Sequence, residues 1–489
     1  MKRYAAISLV ALTSACGPLH SQWGTMPQSA NASLQHRASL PITHVVVIMQ
    51  ENRSFDNFFR GFPGADSATF GYGHGVKYPL TPKHLTWTFD LNHYRWQFLE
   101  DYDGGKNDGW NDLINGSTSG CPYGKGWVNH PSCWNFLTGK SYQKMAFSYV
   151  YKAEIQPYWT MASEYTLGDH NFGSTNGPSF GEHQMLIAGQ DGHADEVPEL
   201  KPWGCDTPKK LSVNWEYYLH YGQANPPEFP PAFGHDVVGY RPCFTYATVA
   251  GLLDGKHISW RWYKQPDPPA IDEEGRDRPD YNQYDSFWLD AFDAIKPIRY
   301  GPDYKNVVTP DTRVLTDIAN ASLAQVSWVM PHGGASDHPG SGSGNCGPAW
   351  ITAIVNAIGK SSYWDSTAII ITWDEWGGWF DHVVPPLESD PVTGAYEGLG
   401  YRTPLIIISP YAKTHYVSKA VHETASSLRF IENVFGLGQL PPGNLADARA
   451  DGYDDVFVSQ SPTKFKPIPE PSNYQYCLSQ RNAPPDRDY

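Results

Sequence analysis

Beyond its first dozen residues the chain has no apolar run approaching the roughly 18–20 residues that cross a bilayer, which excludes a bundle of membrane helices. Charge is also sparse. Asp, Glu, Lys and Arg make up 18% of the 489 residues, and the formal net charge is -15. A surface this poor in cations excludes a nucleic-acid partner, because phosphates require a cationic face. No CxxC pair occurs, so a cysteine metal site is disfavoured. There is no internal repeat. What is present is glycine (45), proline (41) and 14% aromatic residues, the composition of a loop-rich globular protein with a sizeable core.

Lys2 and Arg3 precede an apolar stretch, Tyr4 to Leu12, and then Thr13-Ser14-Ala15-Cys16. This reads as a secretory signal over residues 1–16. Small residues before a Cys resemble a bacterial lipoprotein cleavage site with Cys16 as the lipid-bearing residue. Thr13 stands where such sites usually carry Leu, so lipid anchoring and plain secretion both stay open. The expected location is the periplasm, the medium or the envelope surface, with residues 17–40 as a polar tether. With Cys16 set aside six cysteines remain, an even number that suggests up to three disulfides in an exported protein. Of about 15 connectivities, sequence proximity favours Cys121–Cys133 and Cys205–Cys243, leaving Cys346–Cys477 to hold the C-terminal tail.

The most informative stretch is HVVVIMQENRSFDN, residues 44–57. An apolar run without solvent-facing alternation reads as a strand buried on both faces of an α/β sheet. It ends abruptly in Gln50, Glu51 and Asn52. TAIIITWDEWGGWFDH, residues 367–382, repeats the design: the run Ala368 to Ile371 leads into Asp374 and Glu375. Ligands of open α/β sheets sit at the carboxyl ends of the strands. Three carboxylates and an amide gathered at one such edge cannot all stay ionised without a compensating cation. These residues point to a metal-centred hydrolase.

A third apolar strand is expected at 404–409. Trp350, Ile351, Ile354, Val355 and Ile358 share one helical face with Gly359 as the expected C-cap, and Leu428, Ile431, Val434 and Phe435 form another stripe. Strands alternating with helices indicate a parallel-rich α/β sandwich. The catalytic domain is expected over 41–460, with residues 195–315, rich in Pro, Trp and Tyr, as an insertion or cap. Residues 461–489 read as an extended tail.

In GSTNGPSFGEHQMLIAG, residues 173–189, the Gly177-Pro178 turn precedes Ser179 and an apolar-periodic stretch. A hydroxyl there faces free helix amides, which suits an alkoxide and an anionic substrate. An ordinary N-cap serine explains the same pattern. His338 and His382 lie on loops beside Asp337 and Asp381, and His93 lies in FDLNHYRW. Each can serve proton transfer or simply make a structural hydrogen bond.

Together ENRSFDNFF, the Gly-Pro-Ser turn, SDHP and WDEWGGWFDHVVPP resemble the phosphoesterase family of bacterial phospholipases C and acid phosphatases, in the alkaline phosphatase-like superfamily. The resemblance covers roughly residues 41–455, with lesser matches at 104–110, 259–263, 401–413 and 426–437. It implies a three-layer α/β sandwich around a mostly parallel sheet. It implies Glu51, Asn52, Asp374 and Glu375 as ligands of one divalent metal ion (Ca, Mg, Mn or Zn) and Ser179 as nucleophile. It also implies His93 and His338 as phosphoryl contacts or leaving-group acids, with His382 ranked behind them. Two departures stand out. Glu182 and His183 occupy positions where the family usually has Asn and then Arg or His, and an extra carboxylate there would repel a phosphate unless it points away. The His pair that acid phosphatases carry in mid-chain is missing from residues 281–292.

The expected activity is phospholipase C-type phosphodiester hydrolysis on a phosphate ester such as a phospholipid head group. The alternatives are an acid phosphatase and, from another class, a non-catalytic glycan-binding surface lipoprotein. A sulfatase fits less well, since its modified Cys/Ser-x-Pro-x-Arg pattern is absent. Trp260, Trp262, Trp288 and Trp376 are either core packing or a box for a cationic head group.

Overall fold

The computed structural model describes residues 40–87, 90–111, 144–192, 242–265, 290–339, 345–389, 396–443, 445–458 and 461–480, with a few short pieces between them. The expected signal peptide, Cys16, the tether, the Cys121–Cys133 pair and Trp288 lie outside the described residues.

Eight strands form the central sheet: β1 (His44–Gln50), β2 (Thr166–Phe172), β3 (Trp260–Tyr263), β4 (Val307–Val308), β5 (Val326–Val329), β6 (Thr367–Trp373), β7 (Leu405–Ile408) and β8 (Tyr416–Glu423). Their order is β4-β3-β5-β1-β6-β7-β2-β8. β1 runs parallel to both β5 and β6, as β2 does to β8. Only β7 runs against its neighbours. Two reversals across β7 restore the direction, so β1, β2, β5, β6 and β8 all end at one edge. The fold is a mixed α/β architecture with a mostly parallel sheet, as the sequence indicates.

Alternation within the apolar runs builds two cores. Val46, Ile48, Ile369, Ile371, Ile406 and Ile408 face one layer, with helices α1 (Phe55–Phe59), α2 (Gln156–Glu164) and α4 (Gly347–Gly359). Val45, Val47, Met49, Ala368, Ile370, Leu405 and Ile407 face the other, with α3 (Ser179–Ala188) and α5 (Thr424–Phe435). Burial on both faces is why these strands read as unbroken apolar runs. In α4 the helix runs through Gly359 and ends on Lys360, one residue beyond the expected cap. α5 starts with a reciprocal cap between Glu423 and Ser426 and ends on Gly436 in the left-handed region.

One expectation needs correction. The segment 195–315 is not wholly a cap, because β3 and β4 within it belong to the central sheet. Residues 461–470 run without helix or strand, and the tail is held down at two points. Ile468 is buried, its N–H and carbonyl pair with the Asn356 side chain, and α6 (Tyr474–Ser479) carries Cys477 to Cys346. Both disulfides within the described residues, Cys205–Cys243 and Cys346–Cys477, match the expected pairing.

Candidate active site

The ends of β1 and β6 are laced together. The Asp374 N–H donates to the Gln50 carbonyl and the Arg53 N–H to the Glu375 carbonyl. Asn52 sits in the left-handed region at φ 59°, a conformation Asn tolerates better than most residues. Its N–H donates to Asp374 Oδ1 at 2.7 Å, and so does the Glu375 N–H. Glu375 Oε2 accepts from the Gly377 N–H at 2.6 Å. Gly377 is required here: its φ is 63°, and a Cβ would stand 2.3 Å from the Asn52 carbonyl oxygen. Glu51, Asn52, Asp374 and Glu375 are all buried.

α3 follows the end of β2 at the same edge, with Ser179 as its first residue and Pro178 before it in extended conformation. Ser179 and His183 stand one helical turn apart and therefore share a face. The His183 ring lies with Nε2 3.3 Å from Glu51 Oε1. One ligand atom from each of Glu51, His183 and Asp374 falls within 4.8 Å of the others. Asn52 Oδ1, Asp374 Oδ2 and Ser179 Oγ are buried without a hydrogen-bond partner among the described residues. Unpaired buried oxygens are costly, and a carboxylate most of all. A divalent cation satisfies them, so the residues fit a metal site. His183 belongs to this cluster, and the sequence showed it only as standing where the family has Arg or His, with no role assigned to it. Its i, i+4 spacing from Ser179 was the available signal.

His93 Nδ1 lies 2.7 Å from the Leu91 carbonyl and must carry the proton that this oxygen accepts. Its Nε2 then accepts from Asn52 Nδ2 at 3.1 Å. That pairing occupies the amide nitrogen and leaves the Asn52 amide oxygen without a hydrogen-bond partner among the described residues. His338 likewise donates from Nδ1 to the Pro339 carbonyl at 2.7 Å. The two imidazole rings are 6.3 Å apart and nearly perpendicular. Asp337 anchors the loop that carries His338: its carboxylate accepts from Tyr158 Oη (2.7 Å), Gln50 Nε2 (3.1 Å) and Trp373 Nε1 (3.2 Å). Burial pushes its pKa up to about 6 against these hydrogen bonds.

Glu182 turns the other way, accepting from the Ser174 and Thr175 N–H groups at 3.0 and 2.7 Å. Burial raises its pKa to about 8 against these hydrogen bonds. His382 is placed in a different cluster from the other histidines. It contacts Asp56 Oδ2 at 2.6 Å beside the fully buried Arg402, which pairs with Asp381 at 2.8 Å. Burial would lower the His382 pKa, but the bond to Asp56 and the charges of Asp381 and Asp56 raise it to about 9. Trp260 and Trp262 pack on Phe292 and Trp328 beneath the sheet, and Trp376 packs on Phe98 and Tyr401. These three indoles are core, not a head-group box.

Fold and site together define a class: an α/β protein with a hydroxyl, an imidazole and clustered carboxylates at the carboxyl edge of a mostly parallel sheet. More narrowly, the chain belongs to the Phosphoesterase family, whose model matches residues 42–438. Similar proteins include the non-hemolytic phospholipase C of Burkholderia pseudomallei, 24% identical over 91% of this chain and 62% of that protein. Phospholipase C A of Mycobacterium tuberculosis is 25% identical over 81% of this chain and 73% of its own length. The hemolytic phospholipase C of Pseudomonas aeruginosa is 24% identical over 81% and 53%. The chain therefore spans about half to three quarters of these relatives. Among solved structures, Ps i-CgsB matches 82% of this chain and 74% of its own at a TM-score of 0.36 and 9% identity. A protein of the alkaline phosphatase superfamily from Vibrio parahaemolyticus matches 68% and 82% at 0.31 and 13%. Neither score bears on the reading of the site.

Proposed function

We propose that this protein is a metal-dependent phosphoric ester hydrolase of the phospholipase C type, acting through Ser179. The observation that carries the reading is the buried group of Glu51, His183 and Asp374; Asn52 Oδ1, Asp374 Oδ2 and Ser179 Oγ, buried and without a hydrogen-bond partner among the described residues, support it. Glu51, Asn52, Asp374 and Glu375 would hold the ion, with His183 adding a nitrogen. A bound divalent cation supplies Lewis acidity and lowers the pKa of a nearby hydroxyl. Ser179 Oγ loses its proton and attacks phosphorus, the P–O bond to the departing alcohol breaks, and the head-group phosphate stays esterified to serine until water cleaves that ester. The first amides of α3 favour the anionic phosphoryl group. His338 donates a proton to the departing alcohol or contacts a phosphoryl oxygen, while His93, its Nε2 accepting from Asn52, orients that amide.

The test compares hydrolysis of nitrophenyl phosphocholine and nitrophenyl phosphate before and after chelation and metal re-addition. Chelator-sensitive cleavage of the choline diester is expected. Preference for the monoester would replace the diesterase reading with a phosphatase. Turnover that survives complete metal removal would sink the metal-dependent mechanism.

A further inference from the structure

A second cluster lies outside this site, between the edge strand β8 and the loop after α5. It joins His422, on β8, to Asp451 and Asp455. The His422 ring is fully buried, whereas the two carboxylates are about a quarter exposed. The hydrogen bonds fix its tautomer. Ser418 Oγ accepts the Ala420 N–H at 3.3 Å and lies 2.5 Å from Asp455 Oδ2. An ionised carboxylate only accepts, so the single hydroxyl proton of Ser418 goes to Asp455. Tyr416 Oη donates to the same oxygen at 2.9 Å. His422 Nε2, 2.9 Å from Ser418 Oγ, must therefore carry the ring proton and donate it.

In the neutral ring this leaves Nδ1 as a bare lone pair. It is buried, makes no hydrogen bond, and faces Asp451 Oδ1 at 3.4 Å. Asp455 Oδ1, also buried without a hydrogen bond, has Nε2 as its nearest ring nitrogen at 3.5 Å, so it must turn toward Nδ1 to share an ion with Asp451. A lone pair facing a carboxylate oxygen is repulsive. An imidazolium would be expected to close on the carboxylate to about 2.7–2.9 Å. A separation of 3.4 Å instead matches two donors on one ion, each about 2.0–2.2 Å from it. One ligand atom from each of the three residues lies within 4.8 Å of the others.

We propose that His422, Asp451 and Asp455 form a second divalent-cation site, separate from the candidate active site. One imidazole and two carboxylates suit zinc or manganese better than magnesium, which prefers oxygen alone. The ion pins the 451–455 loop to the outermost strand of the sheet and covers part of an open edge.

The experiment counts zinc retained by the full chain after gel filtration and follows the melting temperature as zinc is added. A Glu51→Gln/Asp374→Asn chain removes carboxylates of the active-site cluster and should still retain one zinc, with a rise of several degrees. Adding Asp451→Asn, at a partly exposed position that threatens folding little, should weaken this binding at least tenfold and abolish the rise. In the otherwise unaltered chain, Asp451→Asn should lower the retained zinc by one per molecule. Failure of the Glu51→Gln/Asp374→Asn chain to hold zinc would overturn the proposal. So would an Asp451→Asn chain whose stoichiometry and melting shift match those of its parent.

Discussion

At the residue scale, Asn52 joins the two halves of the candidate site. Its backbone pairs with Asp374, its amide nitrogen with His93, and its amide oxygen is left for a cation. Ser179 contributes only an unpaired hydroxyl, so its removal should affect chemistry and little else. Ser179→Ala is expected to lose at least about two orders of magnitude in turnover while keeping its metal content, as measured by elemental analysis. Near-normal turnover would remove Ser179 as nucleophile. His183 adds nitrogen to an otherwise oxygen-rich set, and nitrogen favours zinc over calcium. His183→Ala should weaken zinc binding at least about tenfold and leave calcium binding within a few-fold, read by competition with a fluorescent chelator. Equal losses for both ions would mean that His183 only positions Glu51.

At the element scale, a buried charge network ties α1 and β2 to the two ends of the connection between β6 and β7. Arg402 is fully buried among Asp56, Asp169 and Asp381. Arg402→Met leaves these carboxylates without their cation and should cost about 3–5 kcal/mol in denaturant unfolding. His382 belongs to the same network, and its pKa rises from 6.5 to about 9 on folding. A raised pKa means that its stabilisation is fully present below about pH 6.5 and is lost as pH rises through about 9. The melting temperature of His382→Gln should therefore fall furthest below that of the unsubstituted chain near pH 6, and the gap should close by about pH 10. A gap independent of pH would assign His382 a packing role alone.

Elements differed in how plainly the sequence announced them. β1, β6 and β7 are apolar on both faces and read directly from composition. β2 is just as central but carries Gly168, Asp169, His170 and Asn171; Asp169 pairs with the distant Arg402 and the Asn171 amide nitrogen donates to Thr403. β8 lies at the sheet edge and mixes exposed Lys419 with buried Ser418, so no clean period survives. β3 hid inside a segment whose Trp and Pro content suggested a cap.

At the scale of the whole molecule, two elements far apart in sequence are joined by Cys346–Cys477, which closes a loop of 131 positions. Cross-links of this span act largely on the unfolded chain, so Cys346→Ser/Cys477→Ser should lose about 2–5 kcal/mol. Denaturant titration under oxidising conditions checks this, and an unchanged midpoint would mean that packing of Ile468 suffices. The candidate site was legible where a carboxylate follows a strand directly, as Glu51 and Asp374 do, and the two fall in one buried cluster. It was less legible where helix phase or loop path decides the partner. Nothing in FDHVV separates His382 from His338; only the fold sends one toward Asp56 and the other toward His93.

The contact between Asn52 and Asp374 spans 322 positions. Every parallel pairing in the sheet must form across long intervening segments, which makes ordering slow. A chain still leaving the ribosome therefore holds no assembled centre until residues beyond 375 have emerged and paired. Synthesis itself works as a delay: a centre of the proposed kind cannot act before the segment around Glu375 has emerged.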